Sequence, residues 1–134
     1  MFQGSCLCGA IAYEAPEPSL FFNHCHCSMC RKAHGAAFGT FLHTRADGFR
    51  WVRGEEQVRE FHSSPGNRRS FCATCGSNVP VVHRELDHAV IPAGTLDVDP
   101  GVRPSVNIFV ASKAPWNEIT DDLPRCDGYP PGME

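Results

Sequence analysis

Seven of the eight cysteines of this chain fall into three tight groups, and any fold it adopts has to bring those groups together. They are Cys6-x-Cys8, Cys25-x-Cys27-x-x-Cys30 and Cys72-x-x-Cys75. In an extended segment residues i and i+2 point to one side, so a C-x-C pair in a strand aims both sulfurs the same way. In C-x-x-C a tight turn brings two thiolates onto one ion, and Gly76 after Cys75 suits a left-handed exit from that turn. Two dithiol groups close one tetrahedral site of four thiolates, the usual structural zinc arrangement. The central trio supplies three ligands by itself, and three protein ligands leave a fourth position free, as in catalytic zinc sites. The expected division is a structural zinc on Cys6, Cys8, Cys72 and Cys75 and a second, open zinc on Cys25, Cys27 and Cys30, two ions per chain. Spacing alone admits other partitions. Cys126 stands apart and is expected to be a plain thiol.

A disulfide framework is the rival explanation, and an even cysteine count permits it. The tight spacings oppose it. So does the opening Met1-Phe2-Gln3-Gly4-Ser5-Cys6, which has neither the basic nor the apolar region of an export signal, so the cytosol, where thiols stay reduced, is the expected compartment. At 134 residues and 42% hydrophobic the chain is long enough for one domain, residues 1–134, with a core of its own. A formal charge of -3 and a pI near 6.1 argue against nucleic-acid binding, which needs a basic surface to displace counterions. No apolar run approaches the roughly 20 residues of a membrane helix, so no membrane partner is expected.

The apolar runs between turn residues are of strand length. Residues 10–15, 20–27, 36–43, 49–53, 57–62, 78–83, 88–92 and 106–111 read as strands, with Gly54-Glu55-Glu56 as a hairpin turn between the fourth and fifth. Prolines at 16, 18, 65, 80, 92, 100, 104 and 115 break any long helix, and only Ser28–His34 can form a helical turn. The fold class is therefore all-β, with an irregular tail from Ala114 onward.

Among the histidines, His24 and His26 should face away from Cys25 and Cys27 if that segment is extended. His34, four residues past Cys30, is the rival fourth ligand of the open site, against the plainer reading of a solvated surface residue. Three thiolates on Zn²⁺ carry a net charge of -1, a soft cradle for sulfur rather than a strong Lewis acid for water. Arg31 and Lys32, and Arg68 and Arg69, flank the cysteines and could offset that charge or simply be solvated.

Four stretches occur in order: Gly4-Ser5-Cys6-Leu7-Cys8-Gly9, Cys25-His26-Cys27-Ser28-Met29-Cys30-Arg31-Lys32, Phe71-Cys72-Ala73-Thr74-Cys75-Gly76-Ser77 and Ser112-Lys113-Ala114-Pro115-Trp116. Together they resemble the glutathione-dependent formaldehyde-activating enzyme family, also called centromere-protein-V-like, over about residues 4–131. The resemblance implies a β-tent fold stapled by structural zinc, the same division of zinc ligands, and a carbon–sulfur lyase activity that joins glutathione and formaldehyde into S-(hydroxymethyl)glutathione. One position departs from the pattern: Asn107 stands where the family commonly carries a histidine.

The expected function is zinc-dependent chemistry on a thiol–aldehyde adduct, with a small thiol such as glutathione as partner. Arg31 and Lys113 are candidates to hold a substrate carboxylate, and Trp116 to wall the pocket. The alternative is a noncatalytic, zinc-stabilised module that binds a partner or senses thiols or metal.

Overall fold

The structure, a computed structural model, describes residues 1–133 and is built almost entirely from short strands. In chain order these are β1 (Phe2–Ser5), β2 (Ala12–Ala15), β3 (Phe21–Cys25), β4 (Gly39–Thr44), β5 (Arg50–Arg53), β6 (Val58–Ser64), β7 (Asn67–Cys72), β8 (Asn78–Val79), β9 (Val81–His83), β10 (His88–Pro92) and β11 (Val106–Ile108). One helix, α1 (Ser28–His34), sits between β3 and β4 where the sequence predicts it. The strands form three sheets, in the orders β1-β2-β5, β11-β3-β4-β10-β9 and β6-β7-β8. The all-β expectation holds.

Two local readings are corrected. Gly54 does not close a hairpin, because β5 pairs with β2 and β6 pairs with β7. The turn after Gly54 carries the chain from one sheet to another. Residues 78–83 are two strands rather than one: Pro80, which has no N–H for a ladder, lies at the break between β8 and β9. Sequence patterning also passes over β1 and β7, whose residues are mostly polar or small.

The central five-stranded sheet divides its residues by the period of two. Phe22 on β3, Leu42 on β4, and Ala89 and Ile91 on β10 point to one side and pack with Phe2, Tyr13, Ala15 and Phe49 of the first sheet's layer. The hydroxyl of Thr95 donates to the Pro92 carbonyl, so buried Tyr13 donates its own hydroxyl to Thr95 Oγ1 at 2.6 Å. The opposite face carries Cys25, Asn23 and Phe21 from β3 and Phe41 and His43 from β4, and this face lines a cleft. No helix among the described residues is long and apolar enough to cross a membrane.

Leu42 is fully buried at the centre of the principal core. Leu42→Ala is expected to destabilise the fold by about 2–5 kcal/mol through lost transfer energy and a residual cavity, read from the midpoint of urea denaturation.

Candidate metal centres and the adjoining cleft

The first sulfur cluster joins two sheets. Cys6 and Cys8 lie in the turn after β1, closed by Cys6 N–H to Ile11 O at 3.0 Å and Gly9 N–H to Cys6 O at 3.1 Å. The pair converges through this turn, not along a strand as the i, i+2 argument predicts. Cys72 ends β7, and the turn to Cys75 is held by Gly76 N–H to Cys72 O at 2.9 Å, with Gly76 left-handed at φ 76° as expected. The Sγ of Cys6 lies 3.7 Å from that of Cys8, and Cys8 Sγ lies 3.8 Å from Cys72 Sγ. A Zn–S bond of about 2.3 Å puts tetrahedral sulfurs about 3.8 Å apart, so the four thiols fit the ion in chemistry and spacing.

The second cluster forms at the start of α1. Cys25 closes β3, and Cys27 is the helix N-cap, its Sγ accepting the Cys30 N–H at 3.3 Å. Gly35 in the left-handed region ends the helix and returns the chain to β4. The sulfurs of Cys25, Cys27 and Cys30 lie within 4.8 Å of one another, and no fourth His, Cys, Asp or Glu among the described residues joins the group. Hydrogen bonds from the Cys25 and Cys30 thiols push the Cys27 thiol well below the usual thiol range, and the same contacts push Cys25 up.

These three sulfurs open onto a cleft of about 650 Å³. Its floor is the free face of the central sheet, and α1 and the β6–β7 hairpin contribute its walls. Gly39 is paired with Cys25, and a Cβ there would come within 2.8 Å of the Phe41 ring and 3.0 Å of His34. The absent side chain is what lets both rings sit beside the sulfurs. Burial, and then the Arg69 guanidinium, push the His34 imidazole below its ordinary value, so it is neutral at pH 7. Arg69 reaches from β7 to place Nη2 3.5 Å from Cys30 Sγ, so one of the two arginines before Cys72 does face the thiolates.

Farther along the cleft are three histidines, His43, His83 and His88. The His43 Nε2–H donates to Asn23 Oδ1 at 3.0 Å, which leaves His43 Nδ1 to accept from His88 Nε2 at 2.8 Å. Protonating His43 would set two N–H groups against each other. Burial, and then His88, push its pKa down to about 4. The His83 ring stacks on His88 at 6.3 Å. Only their tertiary clustering marks these residues, and nothing in their spacing could have found it.

The other expected site residues fall elsewhere. Lys113 Nζ donates to the carbonyls of Ala114 and Asn117 and holds its own turn. Trp116 is 73% exposed. Arg31 lies on α1 with a buried Nε that has no hydrogen-bond partner, and none of the three lines the cleft. His34 lines the cleft without joining the sulfurs as a ligand. His26 is fully buried and donates Nε2–H to Asn107 Oδ1 at 2.8 Å, while Asn107 Nδ2 donates to Asp121 at 3.0 Å. Asn107 therefore ties the cysteine loop to the tail. Cys126 packs against the cluster of Cys25 and Cys30 but is no member of the sulfur group.

Residues 1–112 match the family described as glutathione-dependent formaldehyde-activating enzyme. A Halomonas elongata protein named as a candidate enzyme of that kind is 34% identical over 97% of this chain and 89% of its own length. An uncharacterised lyase of Schizosaccharomyces pombe is 35% identical over 58% of this chain and 55% of its own. The crystal structure of a Rhodobacter sphaeroides protein from a structural-genomics programme superposes with a TM-score of 0.60 at 25% identity, over 76% of this chain and 97% of that one.

The two clusters should respond differently to loss of a ligand. Cys72→Ser is expected to cost several kcal/mol of folding energy and give insoluble or zinc-poor protein, because its cluster joins two sheets. Cys27→Ser should lose one metal equivalent yet keep the β structure, as metal analysis and circular dichroism would show; equal unfolding of both variants would refute the division. A second expectation concerns acid. His43 has a folded pKa near 4 against an ordinary 6.5, so between those values the unfolded chain binds a proton that the folded chain does not. Stability should therefore fall as pH drops from about 6.5 toward 4, and His43→Asn should flatten that slope in urea denaturation.

Proposed function

The chain belongs to the glutathione-dependent formaldehyde-activating enzyme family, and from that membership we propose that it makes and breaks the adduct of a small thiol, glutathione foremost, with a small aldehyde, as a zinc-dependent carbon–sulfur lyase. The observation that carries this reading is the placement of three cysteine sulfurs, with no fourth protein ligand, at the open end of a cleft large enough for a substrate. A zinc ion held by Cys25, Cys27 and Cys30 would supply a soft, positively charged partner for a substrate sulfur and lower the pKa of its thiol.

The protein's own groups do the rest. In the synthetic direction the substrate sulfur forms a bond to the aldehyde carbon, the carbonyl π pair moves onto oxygen, and the proton lost by the thiol ends on that oxygen. Cleavage reverses each change. His34, neutral and beside the sulfurs, takes and returns that proton, because a neutral imidazole can accept at one nitrogen and donate at the other. Arg69 offsets the negative charge gathered at the thiolates and can turn toward a substrate carboxylate. Phe41, edge-on to His34 with ring centroids 5.3 Å apart, keeps the imidazole on the cleft side.

The test is calorimetry on zinc-loaded protein with glutathione and with S-methylglutathione, in buffers of differing ionisation enthalpy. Glutathione should bind with release of a proton and more tightly as pH rises toward the free thiol's pKa of about 8.5. S-methylglutathione keeps both carboxylates and the amine but cannot become a thiolate, so it should bind far more weakly. Equal affinity without proton release would favour the noncatalytic alternative.

A further inference from the structure

The chemistry of the cleft changes along its length. Along β3 the floor runs from Cys25 through Asn23 to Phe21, four residues or about 13 Å at strand rise. At the sulfur end it meets Arg69 and His34. At the far end the residues paired across the sheet are Phe21, His43, Val90 and Val81, a row that is apolar except for one imidazole. Leu20 and Leu86 rim this end and are 55% and 70% exposed.

Charge at the far end is already committed or absent. Arg68 donates to the Val82 carbonyl at 2.6 Å and lies 3.4 Å from Glu60. The hydrogen bond from His88 Nε2–H to His43 Nδ1 requires His43 to be neutral, and burial, then His83, pushes the His88 imidazole below its ordinary value. Among the described residues no Asp or Glu lines the cleft, so nothing there would pair with the ammonium of glutathione. A polar peptide body gains little at this end, whereas apolar surface removed from water gains in proportion to its area.

We propose that the group joined to the reacting sulfur and lying along the cleft is apolar, of the size of a short alkyl chain or a single aromatic ring. This rests on the thiol-adduct reading above. The apolar group can belong to the thiol itself or to the aldehyde-derived carbon, and in either case Leu20, Phe21, Val81, Leu86 and Val90 receive it.

The experiment uses zinc-loaded protein and calorimetry in two arms. The first titrates ethanethiol, butanethiol and pentanethiol; the second titrates glutathione equilibrated with formaldehyde, butanal or hexanal, with free adduct measured by NMR. Binding should tighten by about threefold to fourfold for each methylene that enters the cleft. A gradient in the first arm assigns the apolar group to the thiol, and a gradient in the second alone assigns it to the aldehyde; either supports the proposal. Leu86→Asp, at an exposed position remote from the core, should flatten the gradient. If thiols bind but affinity is flat in both arms, the lyase reading stands and the apolar cleft is refuted. If no thiol binds through sulfur, both readings fall.

Discussion

Four thiols from two distant turns, those after β1 and after β7, meet with neighbouring sulfurs 3.7 and 3.8 Å apart, and the rest of the architecture hangs on that meeting. Neither turn would hold its shape through burial alone. Cys8 is exposed and Cys75 only half-buried, and the outer sheet β6-β7-β8 has few buried residues. An ion chelated by four thiolates would supply the cross-link that such a thin layer lacks. The strand that delivers Cys72 to this cluster also delivers Arg69, three residues earlier, to Cys30 of the other. Stapling β7 therefore also fixes the cation that faces the second group of thiolates.

The central sheet solves a separate problem, that of building a core and a reactive surface from one layer. Alternation along β3 and β4 sends Phe22 and Leu42 into the core and Asn23, Cys25, Phe41 and His43 to the other side. A buried strand would ordinarily be apolar on both faces. Here the polar face is satisfied by hydrogen bonds within itself, from His88 to His43 to Asn23, which keeps His43 neutral and both rings fixed in position. The family relationship and the open three-sulfur site point to thiol chemistry, while the apolar row at the far end of the cleft points to an apolar group on the substrate.

The parts legible in the sequence were those governed by short-range rules. Cys27 caps α1 and Gly35 ends it within the span that Ser28–His34 predicted, because capping and chain reversal act over a few residues. Strand β10 and the left-handed Gly76 followed for the same reason. The hairpin assigned to Gly54 failed because a turn signal says only that the chain bends, not which strands pair afterwards. Lys113 and Trp116 were drawn toward the site by their nearness in a motif, yet Lys113 holds its own turn and Trp116 points to solvent.

By itself, then, the sequence determined the class of fold and the helical turn, which rest on short-range patterning, and made a division of seven cysteines into four and three the expected one. The tertiary structure alone decided what shares the cleft with the three sulfurs. Arg69, His34, His43 and His88 come from four separate elements; the pairing of β4 with β10 brings the last two together, and α1 and the outer sheet bring the others to the same cleft. That pairing is set by burial of the opposite face, by Phe22, Leu42 and Ile91, so the residues that bring the reactive groups together are not the ones that carry the chemistry.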